Sequence, residues 1–236
     1  MKIFVISDIH GHYTVMKEAL DTAGFDKNNE NHLLICCGDY FDRGNENVEV
    51  LQFFERLERK VLLRGNHEDM LLKLLETGKV MEHHYINGTF QTLENFFGKY
   101  SIDPLTDTID FSGKNRTVDR ICDFIYETID YYETDKYLFV HGWVPNGCTS
   151  AKEAKAAPSG VWIKARETRW TTKYEGENPL SDKTLVCGHM PTFYANHFDP
   201  ARRLGSTEIF FGNGLIAIDG ATYDTKKVNV LVLDEC

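Results

Sequence analysis

Long apolar runs are missing from this chain. The first stretch, Met1-Lys2-Ile3-Phe4-Val5-Ile6, turns polar at Ser7-Asp8. That is too short for a signal peptide or a membrane span, and no later stretch approaches membrane length. Excess positive charge is missing too. The 26 Lys and Arg face 36 Asp and Glu, a net charge of −10 that disfavours a general binder of nucleic acid or of anionic membranes. The six cysteines, at 36, 37, 122, 148, 187 and 236, form no Cys-x-x-Cys pair and no disulfide-framework spacing. Cys36 and Cys37 lie inside an apolar run, where reduced thiols behave as small core residues. Together these absences point to a cytoplasmic protein. No internal repeat, low-complexity tract or linker divides the chain, which reads as a single domain over residues 1–236.

Five short runs rich in β-branched and aliphatic residues stand out: Lys2–Ser7, His32–Cys37, Lys60–Leu63, Tyr137–Val140 and Lys183–Cys187. Each has the length of a buried strand. Between the early ones lie helical patterns at Val15–Ala23, at Val48, Leu51, Phe54 and Leu57, and at Met70–Leu75. Such alternation predicts an α/β fold. From about Val80 to Asp135 the rhythm breaks. Val118, Ile121, Cys122, Ile125 and Ile129 follow helical spacing, so this segment is expected to be a helical cap or insertion. Cys148–Pro179 reads as long loops with a short helix, and Gly214–Asp219 and Lys227–Leu233 as two strands joined by a turn.

Side chains able to hold a metal fall where the apolar runs end. Asp8 and His10 follow the first run, Asp39 the second, Asn66 and His67 the third, His141 the fourth and His189 the fifth. In open α/β sheets the carboxyl edge is where ligands bind. Mixed oxygen and imidazole donors suit manganese, iron or zinc better than calcium. Two such ions about 3.5–4 Å apart can share a water and lower its pKa.

These residues spell a pattern: Asp8-Ile9-His10-Gly11, Gly38-Asp39-Tyr40-Phe41-Asp42-Arg43-Gly44, Arg64-Gly65-Asn66-His67-Glu68, His141-Gly142 and Gly188-His189. The pattern resembles the calcineurin-like metallophosphoesterase superfamily, and within it the serine/threonine protein phosphatase type, including small bacterial and phage members. The resemblance implies an α/β sandwich of four layers, two mixed sheets flanked by helices. It implies that Asp8, His10 and Asp39 hold one divalent ion and that Asp39, Asn66, His141 and His189 hold the other, manganese first, with iron or zinc as alternatives. It further implies attack on phosphorus by a hydroxide bridging the metals, with His67 as general acid, Asp42 orienting it and Arg43 gripping the phosphoryl oxygens. A second phosphate-gripping arginine is expected between the last two histidine ligands, and Arg166 and Arg169 are the candidates. Lys164 stands where the family often has the Arg of Trp-x-Arg, and Ser7 stands where a Gly is common.

Taken singly, each feature has a plain explanation. Asp-x-His after a strand is ordinary turn chemistry, and Gly-Asn-His is compatible with a tight turn; their joint occurrence at strand ends carries the reading. His12, His32, His83, His84 and His197 are expected at the surface or in the core. Trp143, Trp162 and Trp170 are expected to pack in core or loops. Cys37, five residues and Arg43 match the bare spacing of a cysteine-dependent tyrosine phosphatase. The acids Asp39 and Asp42 within that loop would repel phosphate and raise the thiol pKa, so the match is read as coincidence. The expected substrate is a phosphorylated protein or a small phosphoester. A symmetrical diadenosine tetraphosphate hydrolase is the alternative, and a metal-binding scaffold without turnover is a third reading.

Overall fold

In the computed structural model residues 1–195 and 205–235 are described. The strands of the first half are β1 (Lys2–Ile6), β2 (His32–Cys36), β3 (Lys60–Leu62), β4 (Ile102–Asp103) and β5 (Thr108–Ile109). Those of the second half are β6 (Tyr131–Glu133), β7 (Tyr137–Val140), β8 (Thr184–Cys187), β9 (Phe210–Gly212), β10 (Leu215–Ala217) and β11 (Leu231–Asp234). The helices are α1 (Tyr13–Thr22), α2 (Asn47–Arg56), α3 (Asn66–Thr77), α4 (Glu82–Asn87), α5 (Thr89–Phe97), α6 (Asn115–Glu127), α7 (Ala151–Ala156), α8 (Ser159–Arg166) and α9 (Thr222–Thr225).

Two mixed sheets form the centre, ordered β11-β1-β2-β3 and β6-β7-β8-β10-β9. β1, β2 and β3 run parallel, as do β7, β8 and β10, while β11, β6 and β9 are the antiparallel edges. The parallel strands have apolar side chains on both faces because both faces are covered. Ile3, Val5, Ile35, Phe139, Val186 and Ile216 meet between the sheets. Phe4, Ile6, Leu34 and Cys36 face outward into a core shared with α1, α2, α3, α5 and α6. Leu138, Val140, Leu185 and Cys187 face the opposite way, onto Trp143, Trp162 and Trp170. Four layers result: helices, sheet, sheet, helices. Burying each large aliphatic side chain stabilises this stack by about 1.5–3 kcal/mol.

All three tryptophans are therefore core residues, as expected. Several elements differ from the sequence reading. β6 and the short β4–β5 ribbon fall inside the segment read as helical, whose helices add Leu93, Ile121, Phe124 and Ile125 to the first outer core. Cys148–Pro179 carries two helices, α7 and α8, and Ser150 caps α7 by accepting the Glu153 N–H. The short, alanine-rich α7 and the weakly amphipathic α8 hide the helical period. The tail strands are not a hairpin: β10 pairs with β8 and β9, whereas β11 pairs with β1 in the other sheet. Between them the Asn229 side chain donates to the carbonyls of Thr207 and Ile218, and the strand starts at Leu231.

Candidate metal centre and active site

The turns that leave β1, β2, β3, β7 and β8 converge on one rim. Their backbone is unusual. Among the described residues nine non-glycine residues have positive φ, and six are here: Asp8 (53°), His10 (48°), Asp39 (57°), Asp42 (71°), Arg43 (66°) and His189 (66°). Asp and His tolerate this region better than most residues. For Arg43 it costs about 1–3 kcal/mol, strain of the kind that collects at functional sites. Gly65 is required by close approach, since a Cβ there would lie 2.1 Å from Asp39 Oδ1.

Asp39 sits at the middle. Donor atoms of His10, Asp39 and His67 lie within 4.8 Å of one another, and so do those of Asp39, His141 and His189. Asp39 thus belongs to both groups. Asn66 joins the second, with its Oδ1 3.0 Å from His141 Nε2. Asp8 stands beside them, accepting the His189 N–H at 2.9 Å and the Ser7 hydroxyl. His67, expected only as a proton donor, also faces Asp39, Nε2 to Oδ2 being 3.8 Å.

The imidazoles are oriented from behind. His10 Nδ1 donates to Phe41 O at 2.9 Å and His141 Nδ1 to Cys37 O at 2.6 Å, because a carbonyl can only accept. This leaves each Nε2 lone pair turned toward Asp39, 3.7 Å away for His10 and 3.3 Å for His141. His141 Nε2 thereby confronts two oxygens, those of Asp39 and Asn66. Only a second ring proton or a cation between them relieves that contact. Burial opposes protonation of His141, but the Asp39 charge and hydrogen bond push its pKa up to about 10. His189 is the reverse: burial and repulsion from His141 lower it to about 3, so its ring is neutral. Buried carboxylates facing imidazole lone pairs, each fixed by an outer hydrogen bond, make a donor set that fits divalent ions.

His67 Nδ1 lies 2.7 Å from Asp42 Oδ2. Asp42 is wholly buried and also accepts the hydroxyls of Thr89 and Thr92 at 3.0 Å each. Burial disfavours the imidazolium, yet the charges of Asp39 and Asp42 and the Asp42 hydrogen bond raise its pKa above the ordinary value. Arg43, exposed at the mouth, places its guanidinium 3.5 Å from His67 Nε2.

The two candidate arginines part company. Arg166 is 4% exposed; its Nε donates to Asp69 Oδ2 at 2.7 Å and its terminal nitrogen to Asp130. Its guanidinium is thus occupied as a clamp, and it does not turn toward the centre. Arg169 is exposed on the wall of a neighbouring cleft. Lys164 is exposed and pairs with Glu167 at 3.1 Å.

Four residues at or behind the site had no role in the sequence reading. Glu68, fully buried, accepts the N–H groups of Asp39, Tyr40 and Gly65, all at 2.9 Å, and ties two ligand-bearing turns together. Thr89 and Thr92 come from α5. Asp219, at the end of β10, is buried next to Asp8; burial and the Asp8 charge push its pKa well up. The rule that found the candidate ligands, an acid or imidazole closing a strand, would have drawn attention to Asp219 too.

Cys37 is fully buried, and burial with the neighbouring Cys187 and Asp8 drives its thiol pKa well up. Burial and a raised pKa both disfavour a thiolate nucleophile there. His12 Nε2 accepts a hydrogen bond from Lys226 Nζ at 2.7 Å, and His84 is packed beside His83. His197 lies outside the described residues.

A family model described as calcineurin-like phosphoesterase matches residues 1–218. The serine/threonine-protein phosphatase 2 of Escherichia coli is 38% identical over 76 residues, covering 32% of this chain and 34% of that protein. The symmetrical bis(5'-nucleosyl)-tetraphosphatase of Wigglesworthia glossinidia brevipalpis is 37% identical over 75 residues, 31% of this chain and 27% of that one. The chain thus spans about a third of the length of the curated relatives it matches. Among solved structures, a protein serine/threonine phosphatase from Saccharomyces cerevisiae superposes with a TM-score of 0.59 at 13% identity, covering 100% of this chain and 80% of that one. Its likeness is one of fold.

Proposed function

The chain belongs to the calcineurin-like phosphoesterase family, and we propose that it is a dimetal phosphomonoesterase acting on phosphoserine and phosphothreonine in proteins. One observation carries the reading: Asp39 is shared by two imidazole groups, with the His67–Asp42 pair directly beside it. In this reading Asp8, His10 and Asp39 hold one ion, and Asp39, Asn66, His141 and His189 the other. Bound divalent ions, manganese first and iron or zinc as alternatives, would supply Lewis acidity and a water of lowered pKa as nucleophile.

The side chains do the rest. Arg43 reaches from the mouth to the phosphoryl oxygens, where its planar guanidinium can make two parallel hydrogen bonds. Arg169 is the nearer fit for a second grip, because Arg166 is held by Asp69 and Asp130. As the ester P–O bond breaks, His67 Nε2 passes its proton to the departing alkoxide, and Asp42 holds the ring in the required tautomer. Inorganic phosphate and the free hydroxyl side chain are the products. Five described cysteines are free, which suits a reducing cytoplasm.

Hydrolysis of diadenosine tetraphosphate is the second reading, supported by the comparable similarity to the Wigglesworthia enzyme. A scaffold without turnover has no use for a buried, threonine-braced proton donor. Manganese-loaded protein assayed side by side on a phosphopeptide, diadenosine tetraphosphate and a simple aryl phosphate tests all three. The phosphopeptide is expected to be turned over with the highest kcat/KM; a dinucleotide preference would replace this reading, and no turnover of any would end it.

A further inference from the structure

A cleft of about 940 Å³ opens beside the centre, and apart from Arg169 the chemistry above leaves it unused. Val144 and Pro145, which follow His141 in the chain, form one wall; Pro158 and Val161 form another, with Arg169 and Lys173 on the rim. The link to the centre is direct. Gly142 is pressed against the carbonyls of Arg166, Thr168 and Ala165, where a Cβ would come within 2.5, 2.7 and 2.9 Å. The Trp143 N–H donates to Ala165 O at 3.0 Å. One stretch of backbone, residues 165–169, therefore packs against the turn that follows His141 and lines the cleft.

The charge of the cleft runs against that of the chain. Overall the protein carries −10, yet the cleft has Lys164, Arg169 and Lys173 against one carboxylate, Glu167, which Lys164 holds at 3.1 Å. Arg169 and Lys173 form no ion pair with any described residue. The apolar surface between them is aliphatic: Val161 is 43% exposed, whereas Trp143, the one aromatic in the lining, is 9% exposed and packed into the core. Among the described residues the cleft offers no exposed aromatic face of the kind on which nucleobases commonly stack. Acidic and aliphatic side chains of an extended peptide match it on both counts.

We propose that this cleft is the subsite for the polypeptide segment flanking the phosphorylated residue, and that it selects segments combining acidic and aliphatic side chains. The proposal rests on the protein phosphatase reading above and names its specificity. The test uses the metal-loaded chain and its Lys173→Glu and Val161→Asp variants. Each is assayed on two phosphopeptides that differ only in flanks, Asp/Leu-rich or Lys/Ser-rich, and on an aryl phosphate and diadenosine tetraphosphate. The wild type is expected to favour the Asp/Leu-rich peptide. Lys173→Glu should lower kcat/KM for that peptide about five- to tenfold, with aryl phosphate turnover unchanged. Equal rates on the two peptides in all three proteins would overturn the subsite while sparing the phosphoesterase. A loss confined to diadenosine tetraphosphate would assign the cleft to a nucleotide and overturn it as well. A wild type inactive even on aryl phosphate would overturn both readings.

Discussion

His67 Nδ1 lies 2.7 Å from Asp42 Oδ2, and that one carboxylate also receives the Thr89 and Thr92 hydroxyls at 3.0 Å each. With three donors on Asp42 and the group wholly buried, the ring of His67 is held in one orientation. Its Nε2 then faces Asp39 and Arg43, 3.8 and 3.5 Å away. In the proposed reaction a proton held there would go to the leaving oxygen of a phosphoryl group gripped by Arg43.

If that proton goes to the leaving group, His67→Asn will slow alkyl phosphates far more than aryl phosphates. The expected loss is about 100- to 1000-fold in kcat for an alkyl phosphate and under about tenfold for a nitrophenyl ester, whose anion leaves unaided. Steady-state rates on both esters decide it. Equal losses would take His67 out of the general-acid role.

The threonines act through Asp42 and His67. The double variant Thr89→Ala, Thr92→Ala should lower kcat on alkyl phosphates about 10- to 100-fold, since outer hydrogen bonds of this kind carry effects of that size. It should leave KM nearly unchanged and move the acid limb of the pH–rate profile. A variant with the wild-type rate and profile would show that His67 is held by Asp42 alone.

The distribution of what the sequence revealed follows from its periodicities. Asp8, Asp39, Asn66, His141 and His189 were legible because each closes a short apolar run, and parallel strands bring such ends to one rim. The same pattern fixed β1, β2, β3, β7 and β8 to within about one residue, in line with how closely strand ends can be drawn. Thr89 and Thr92 were silent. They sit one turn apart on α5, and no period separates a threonine that braces a buried carboxylate from one that meets water. β6 and β9 are three residues each, too short to show alternation. The crossing of the tail between sheets, with the Asn229 side chain bonded to Thr207 and Ile218, brings together residues that no local pattern links.

Arg166 is a structural clamp in this fold. Removing it as Arg166→Ala leaves Asp69 and Asp130 facing each other without their shared cation. A loss of about 2–4 kcal/mol in unfolding free energy is expected, read from urea denaturation of the metal-loaded protein. A loss below about 0.5 kcal/mol would show that the pair is unimportant and would free Arg166 for another role.

Cys37 tests the competing thiol chemistry. Its side chain is fully buried with its pKa pushed well up, so Cys37→Ser should keep more than about half of the wild-type kcat, serine being nearly isosteric apart from its hydroxyl. Phosphate release assays measure this. Near-complete loss of turnover with metal content unchanged would revive a cysteine nucleophile.

Asp39 is the residue through which both ions would be held, so metal analysis of the purified wild type and of Asp39→Asn, after dialysis against manganese, is the most direct measurement. Two ions per chain are expected in the wild type, and fewer than one in the variant, because a single substitution weakens both positions together. Two tightly retained ions in Asp39→Asn, or loss of one ion with the other held at wild-type affinity, would contradict a shared carboxylate.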